Sequence, residues 1–194
     1  SFPTRRSSDL SNLPVTLISM LYFLRNMERL KLSGIGEGLG VVVSSKLRSA
    51  DIPELVLESI QNIFPEFTCG LPPQPSFPTD QDDSIACQNV SLENFISLLH
   101  KQSILDTSLD YMSRNITDTG TTFEISRQAA LSGKISFPLP NESPLGGVIL
   151  IEITGPDVKD WLEAATWHEG REYIPRKIGD DLSMNSSADA VTWH

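Results

Sequence analysis

The sequence predicts an α+β fold, with N-terminal helices followed by a small, mainly antiparallel sheet and a C-terminal helix packed on it. Apolar residues recur at helical spacing over much of the chain up to about residue 112, and afterwards they alternate with polar residues. The run Val148–Ile153 is apolar on both faces up to Glu152, which is typical of a central strand. Gly155-Pro156-Asp157 directly after it signals the start of a helix.

Residues 1–10 have the sequence that a common sequencing-adapter oligonucleotide encodes, and we interpret them as an artefact without native contacts. A helical segment is predicted over 11–64. It begins with the apolar run Leu13–Leu24, which is shorter than the roughly 20 residues that a bilayer span needs. We therefore expect a buried helix that reaches about Leu32, and no membrane span.

The rest of the helical segment holds one ambiguous run and one clear helix. Val41–Val43 fits either a short strand or the start of a packed helix, and its pattern does not separate the two. Asp51-Ile52-Pro53-Glu54 has the form of a capping box with proline in the first turn. The sequence therefore predicts a helix from Asp51 to the residue before Pro65.

Residues 65–86 contain five prolines and a cluster of aspartates without periodicity, so we predict a Pro-rich, acidic loop or linker there. This stretch is the candidate boundary between the helical segment and an α+β segment over 87–178. Beyond it, residues 179–194 are polar, and we expect a disordered tail.

Three helices and three strands are predicted within the α+β segment, and the third helix is the one after Gly155-Pro156-Asp157. Ser91 begins one helix and Asp106 the next. Apolar and polar residues then alternate around Phe123 and Ile125, and again over 135–139, which predicts two half-buried strands before Val148–Ile153.

The last predicted helix carries its apolar residues on one face, and they are Val158, Trp161, Leu162 and Ala165. Because Val148–Ile153 is apolar on both faces, this helix is expected to cover the second face, with Trp161 buried against the sheet.

A second feature of this region is a resemblance to a known sandwich. Residues 131–137 and 147–155, joined by a Pro-containing turn, resemble the first hairpin of arrestin-type sandwiches. That family supplies trafficking adaptors, so the resemblance implies a hairpin between these two stretches and an adaptor role.

Composition excludes some classes of partner. The chain carries a net charge of −10 and has no basic cluster, which disfavours binding to nucleic acid or anionic membranes. Its three histidines and two cysteines are too few and too scattered for a closed zinc site, so no metal and no cofactor are predicted. Cys69 and Cys87 allow either a disulfide or two free thiols, and free thiols in a reducing compartment are favoured. Four glycosylation sequons keep a secreted origin open beside the intracellular location that we expect.

The first candidate site is a glycine turn. Leu32-Ser33-Gly34-Ile35-Gly36, followed by Gly40, Val43 and Leu47, resembles the hairpin of helix-hairpin-helix DNA-binding modules. The resemblance implies that backbone N–H groups at Gly34 and Gly36 point at a phosphate, and that the small Gly40 lets two helices touch.

The second candidate site is the polar and aromatic stretch Trp167–Tyr173, which contains His168, Glu169, Arg171 and Tyr173. It supports an enzyme that uses His168 as a base. The favoured alternative is structural, with His168 near the negative end of a helix, Gly170 as the C-cap, and Trp167 and Tyr173 packing.

The chain contains no Gly-x-Ser-x-Gly elbow. For every other candidate catalytic residue, a structural role is favoured over a catalytic one. The sequence therefore favours a non-catalytic intracellular interaction domain, a subunit or adaptor of a larger assembly, with a protein as partner. A nucleic-acid-associated factor that uses Gly34, Gly36 and Gly40, and an enzyme that uses the His168 region, remain as alternatives.

Overall fold

A four-stranded antiparallel sheet organises the chain in this computed structural model, which describes residues 32–48, 50–70, 83–139 and 144–180. The predicted artefact over 1–10 and the predicted helix over Leu13–Leu32 lie outside these ranges, apart from Leu32 itself. In chain order the elements are β1 (Gly40–Leu47), α1 (Pro53–Ile63), β2 (Asp83–Gln88), α2 (Glu93–Gln102), α3 (Leu105–Ser113), β3 (Gly120–Ser126), α4 (Arg127–Leu131), β4 (Val148–Thr154), α5 (Val158–Ala165) and a 3-10 helix (Glu169–Glu172).

The strands lie in the order β2-β1-β4-β3, and every neighbouring pair is antiparallel. Ile151 of β4 is opposite Val43 of β1 on one side and Phe123 of β3 on the other. The α+β class and the central place of Val148–Ile153 are thus confirmed.

One face of the sheet carries the core. Along each strand alternate side chains point to the same face, and on this covered face Val43, Phe123 and Ile151 are buried. Three phenylalanine rings connect the sheet to the helices. The ring centroid of Phe95 on α2 lies 5.8 Å from that of Phe64, on which it stacks, and 5.9 Å from that of Phe123 on β3. The helices therefore pack by their apolar stripes against the covered face.

The other face of the sheet is the open face. Its side chains are half-buried or exposed, and they include Val42, Ser44 and Lys46 of β1, Ser84 and Ala86 of β2, Thr122 and Glu124 of β3, and Val148, Leu150 and Glu152 of β4. The expectation that the helix after Pro156 covers the second face of Val148–Ile153 is wrong, because among the described residues that helix packs into the core on the covered face. An antiparallel sheet can leave one face to solvent, and here that face keeps apolar residues.

Trp161 on α5 is buried with 8% of its surface exposed, as the spacing of the helix predicts. Val158, Leu162 and Ala165 on the same helix are buried with it, in the same core cluster as the strand residues. Only the covered face of β4 takes part in this packing.

The helix predicted after Asp51 is present, but its start differs from the capping-box expectation. Ile52 occupies the N-cap position without a side-chain cap, and Pro53 stands in the first turn. The Asp51 carboxylate instead accepts hydrogen bonds from the backbone N–H of Arg48 and from the Arg127 guanidinium, each at 2.9 Å. The carboxylate that was predicted to cap the helix therefore binds Arg127, which is distant in sequence.

The predicted segment boundaries need two corrections. Residues 40–47, inside the predicted helical segment 11–64, form the inner strand β1. β2 begins at Asp83, inside the predicted loop 65–86, and it pairs with β1 from Val42 to Leu47. The sheet therefore joins both sides of the proline-rich stretch, because strand pairing does not follow local composition.

The strand predicted over 135–139 is not formed. The Gln102 side chain donates to the Ile135 carbonyl at 2.9 Å and accepts from the Ile135 N–H at 2.8 Å, so one amide side chain takes the place of a neighbouring strand. The hairpin that the arrestin-type resemblance implies is not formed either, because β4 pairs with β1 and β3 and not with residues 131–137.

Candidate functional site

The glycine turn before β1 binds a carboxylate of the chain itself, that of Glu37. Gly34, Gly36 and Gly38 have φ of +78°, +75° and +80°, a region that glycine adopts without strain. Glu37 Oε1 accepts a hydrogen bond from the Ser33 N–H at 2.9 Å, and Glu37 Oε2 accepts one from the Trp161 indole N–H. The turn is therefore tied to α5 by an internal anion.

Glu37 stays ionised in this position. Burial raises the pKa of its carboxyl, but hydrogen bonds from the Ser33 N–H, the Trp161 indole, the Gly34 N–H and the Ser33 hydroxyl outweigh it and hold the pKa below the ordinary value. A phosphate approaching this turn would meet a negative charge.

The helix-hairpin-helix architecture is not adopted. The chain continues from Gly40 as a strand, where the module has its second helix. A Cβ at Gly40 would lie 2.8 Å from Thr154 Oγ1, so the small residue allows a close contact between β1 and β4 instead of two helices. Binding of nucleic acid at Gly34, Gly36 and Gly40 stays a prediction.

The polar cluster that contains His168 is centred on Asp106, in the first turn of α3. Asp106 Oδ2 lies 3.0 Å from His168 Nε2, and Asp106 Oδ1 accepts a hydrogen bond from Arg171 Nε at 2.9 Å. Arg171 is buried and also donates to Thr166 Oγ1 at 3.2 Å. The cluster ties the segment after α5 to α3.

Both ring nitrogens of His168 are engaged. Nδ1 accepts the backbone N–H of Gly170 at 3.2 Å, where His168 caps the 3-10 helix. In the neutral ring the proton is then on Nε2, which donates it to Asp106. A general base needs an available lone pair within reach of a substrate, and this arrangement uses both nitrogens for structure.

The sequence predicted four side chains at this site, and the structure brings two of them together. His168 and Arg171 meet at Asp106, whereas Glu169 is exposed and Tyr173 is 85% exposed. The expected packing of Tyr173 and of Trp167, which is half-exposed, is wrong. Gly170 is not the C-cap of the helix either: α5 ends at Ala165 with Thr166 as its C-cap, and Gly170 lies in the 3-10 helix.

A second acidic residue of α3, Asp110, also links this helix to the segment after α5. The Arg176 guanidinium binds both carboxylate oxygens of Asp110, one of them at 3.1 Å from Nε. Further on, the backbone N–H of Lys177 donates to Asp180, which is buried. The packed part of the chain therefore reaches at least Asp180, beyond the start of the predicted tail at 179.

Sequence reasoning missed Arg127, which braces the edge of the open face. The side chain is 5% exposed, and it donates to the carbonyl oxygens of Gly146 and Lys46 and to the Asp51 carboxylate. Gly147, with φ of +77°, leaves room for the guanidinium, because a Cβ there would lie 2.1 Å from it. No local pattern marks this arginine, because its partners are 19 to 81 residues away.

The open face forms a shallow concavity of about 540 Å³, whose floor includes Val42, Val148 and Leu150. Lys46 and Arg48 line one end of it and Glu152 the other. Pro144 contributes to its wall, and the next residue, Leu145, is 95% exposed. The concavity therefore combines an apolar floor, charged ends and an exposed leucine beside its wall.

The described residues contain neither a metal site nor a membrane-spanning helix. Within 32–48, 50–70, 83–139 and 144–180, no three histidine, cysteine or acidic side chains converge as a metal site would require. None of the helices described above is long and apolar enough to cross a bilayer.

Comparison with known proteins places the chain in a family. It is 31% identical over 127 residues to a UPF0201 protein of Methanothermobacter thermautotrophicus, and the match covers 63% of this chain and 89% of that protein. The chain belongs to the UPF0201 family. A second UPF0201 protein, from Sulfurisphaera tokodaii, is 32% identical over 129 residues, which are 65% of this chain and 88% of the relative.

A solved UPF0201 structure, from Methanococcus jannaschii, has the same fold. It superposes with a TM-score of 0.56 at 22% identity, and the match covers 68% of this chain and 96% of that structure. No family model matches the chain. The sequence identity establishes the UPF0201 membership, and the superposition establishes the fold.

Proposed function

We propose that this chain is a non-catalytic interaction subunit that binds another protein through the open face of its sheet, and that the partner is a second copy of the chain. The observation that carries the proposal is the half-exposed apolar floor of the open face. Val148 and Leu150 are consecutive open-face residues of β4, Val42 of β1 lies diagonal to Leu150, and no described helix covers them. Contiguous apolar surface with a polar rim is typical of protein interfaces.

The chemistry of the open face favours protein over nucleic acid. Sheets that bind single-stranded nucleic acid present aromatic rings for base stacking, and the open face defined above contains no aromatic side chain. Its basic residues, Lys46 and Arg48, are balanced by Glu124 and Glu152, and the whole chain carries a net charge of −10. Such a surface repels a phosphate backbone and suits a partner with apolar and mixed charged groups.

The charges of the open face are complementary to those of a second copy. Glu152 is opposite Val42, which lies four residues from Lys46 along β1, so Lys46 and Glu152 are about 13 Å apart along the strands. A two-fold axis between two stacked sheets, perpendicular to the strands at the level of Leu150, brings Lys46 of one copy near Glu152 of the partner subunit. Neither charge takes part in an ion pair within the part of the chain that the structure describes.

The size of the open face sets the strength of the dimer. Four strands about 4.8 Å apart and five residues deep span a flat area of about 300–400 Å² per copy. That is less than the roughly 800 Å² per partner of a standard specific interface, so we expect a weak and transient dimer.

Sedimentation equilibrium over a range of protein concentrations tests the proposal. We expect a reversible monomer–dimer equilibrium that Leu150→Arg weakens at least about tenfold, because two arginines would face each other at the axis. Leu131→Arg, the same change at an exposed leucine of α4 outside the sheet, should leave the equilibrium unchanged.

Exchanging the charges of Lys46 and Glu152 distinguishes the proposed interface from a dimer formed through another surface. Lys46→Glu and Glu152→Lys should each weaken the dimer, and the double variant should restore it, because it re-forms both ion pairs in reverse. A chain that stays monomeric at several hundred micromolar would overturn the proposal, as would a double variant no better than the single ones. Binding of single-stranded RNA at low salt that Leu150→Arg abolishes would assign the open face to nucleic acid instead.

A further inference from the structure

The outer edge of β2 is set by the way this strand bonds to β1. The Asn89 N–H donates to the Val41 carbonyl at 2.8 Å, and hydrogen-bonded pairs alternate along the ladder from there, with Val43–Cys87 as the next one. The even-numbered residues of β2 therefore point their backbone N–H and C=O groups away from β1. They are Ser84, Ala86 and Gln88.

This edge is open to another strand. Among the residues that the structure describes, none bonds to the outward backbone groups of Ser84 or Ala86, and the Gln88 carbonyl has only the Cys87 thiol, at 3.9 Å. The three outward residues are exposed. β2 contains no proline, lysine or arginine, and natural sheets commonly use proline or lysine on an edge to prevent pairing.

The opposite edge of the sheet, on β3, is closed by the chain itself. The Gly155 N–H donates to the Thr119 carbonyl, so the even-numbered residues of β3 point outward. Three of the four have partners within the chain. The bonds run from the Thr117 N–H to the Gly120 carbonyl at 2.8 Å, from the Asn115 amide to the Thr122 carbonyl at 3.0 Å, and from the Ser126 N–H to the Ser136 carbonyl at 2.9 Å.

We propose that β2 pairs edge to edge with β2 of a second copy, antiparallel, about a two-fold axis that passes through the sheet beside Ala86. Ala86 then lies opposite Ala86 of the partner subunit, and Ser84 lies opposite Gln88 of the partner subunit. All three outward residues of each copy are used, and each pair exchanges two backbone hydrogen bonds. A register centred on any other residue leaves at least one outward residue unpaired.

The side chains of β2 suit this register. On the covered face Ile85 lies opposite Cys87 of the partner subunit, which extends the apolar layer. At the axis the methyl group of Ala86 leaves room for its own copy. The strand's one charged residue, Asp83, lies opposite Asn89 of the partner subunit, so no like charges meet.

The edge contact does not depend on the open-face dimer, but the two are geometrically compatible. Leu150 is opposite Ser44, which is opposite Ala86, so the two axes lie at the same level of the sheet. Two perpendicular two-fold axes that intersect generate a closed assembly of four copies. The edge contact uses a single six-residue strand, so we expect it only at higher protein concentration than the open-face dimer.

Disulfide trapping tests the edge contact. Every variant carries Leu150→Arg, which places two arginines at the open-face axis, and Cys69→Ser and Cys87→Ser, which remove the two free thiols. Ala86→Cys in this background should form a disulfide-linked dimer that dithiothreitol reverses. The Cα atoms of directly opposite, hydrogen-bonded residues are about 5.5 Å apart, which a disulfide spans.

Two neighbouring positions are the matched controls. Ser84→Cys or Gln88→Cys alone should not link, because each lies two residues from the axis and about 14 Å from its own copy. An equal mixture of the two should link. Equal linking at all three single positions, or a mixture no better than its components, would overturn the register. Failure of the open-face dimer leaves this test intact, since Leu150→Arg removes that dimer from every sample.

Sedimentation of the Leu150→Arg chain gives an independent measurement. Ala86→Pro removes an outward N–H without breaking a bond to β1, and it should weaken the remaining dimer at least about tenfold. Ala86→Lys keeps the backbone donor, places two ammonium groups at the axis, and should act in the same way. Glu124→Pro, at an outward position of β3, should leave the association unchanged. A Leu150→Arg chain that stays monomeric at several hundred micromolar and gives no link through Ala86→Cys would overturn the proposal.

Discussion

At the scale of single residues, Arg127 is a side chain whose importance no sequence pattern shows. It is buried, and its guanidinium joins the β1 strand, the loop before β4 and Asp51, two residues before α1. A buried arginine is stable only when its donors are satisfied, so its three partners form one unit with it.

We expect Arg127→Met to lower the free energy of unfolding by about 3–5 kcal/mol, because Asp51 loses its cationic partner and two carbonyl groups lose the guanidinium donor. Arg48→Met is a matched control, since Arg48 is exposed, and its effect should stay within about 0.5 kcal/mol. Chemical denaturation measures both. A loss below about 1 kcal/mol for Arg127→Met would contradict the bracing role.

Asp106 makes a pH-dependent contribution to stability. Burial raises the pKa of its carboxyl, but the hydrogen bonds and charges of Arg171 and His168 outweigh it and hold the pKa below the ordinary value. Because the folded pKa lies below the unfolded one, the contribution is present above the ordinary aspartate pKa of about 4 and is lost as the pH falls through the folded value.

Asp106→Asn removes this contribution while keeping the shape of the side chain. The difference in unfolding free energy between wild type and variant should be present at neutral pH and shrink as the pH falls below about 4. Asp118→Asn is the control, because Asp118 is fully exposed and its pair with Lys159 is loose at 3.6 Å. Denaturation curves at several pH values decide this, and a difference that grows toward acid would reverse the assigned sign.

At the scale of elements, α5 is anchored by one aromatic side chain. Trp161 is the largest group on the apolar face of the helix, and its indole N–H reaches the Glu37 carboxylate in the glycine turn. Packing and hydrogen bonding act together there, and two substitutions separate them.

Trp161→Ala should lower the free energy of unfolding by about 3–5 kcal/mol, because it leaves a cavity and an unpartnered carboxylate. Trp161→Phe keeps most of the packing and loses only the hydrogen bond, so about 1–2 kcal/mol is expected. Trp167→Ala, at a half-exposed tryptophan, should cost much less. An alanine effect at Trp161 below about 1 kcal/mol would contradict its burial in the core.

The elements also show where pattern reasoning succeeds. Alternation around Phe123 and Ile125 predicted β3, and the apolar run predicted β4, because both strands lie against the core. The same alternation over 135–139 predicted a strand that is absent, because Gln102 satisfies the backbone of Ile135. Alternation records which residues are buried, and it does not record what pairs with the backbone.

At the scale of the whole molecule, the candidate interface exists because the strands meet in an order that the sequence does not state. β1 and β2 are joined across the proline-rich stretch, and β4 pairs both with β3 and with β1, whose Ser45 is 103 residues from Val148. That arrangement sets Lys46, Leu150 and Glu152 on one face, and no segment of the chain contains this combination.

The amino-acid sequence by itself determined the α+β class, the helices from Pro53, Glu93, Leu105 and Val158, the strands around Phe123 and Ile151, and the burial of Trp161. These follow from periodicity within short windows, which is a local property. Only the tertiary structure decided that β1 is a strand, that the described helices leave one face of the sheet uncovered, and that Asp106 holds His168 and Arg171. Each of those depends on contacts between residues distant in sequence, and the free energy of such contacts has no signature in the local pattern.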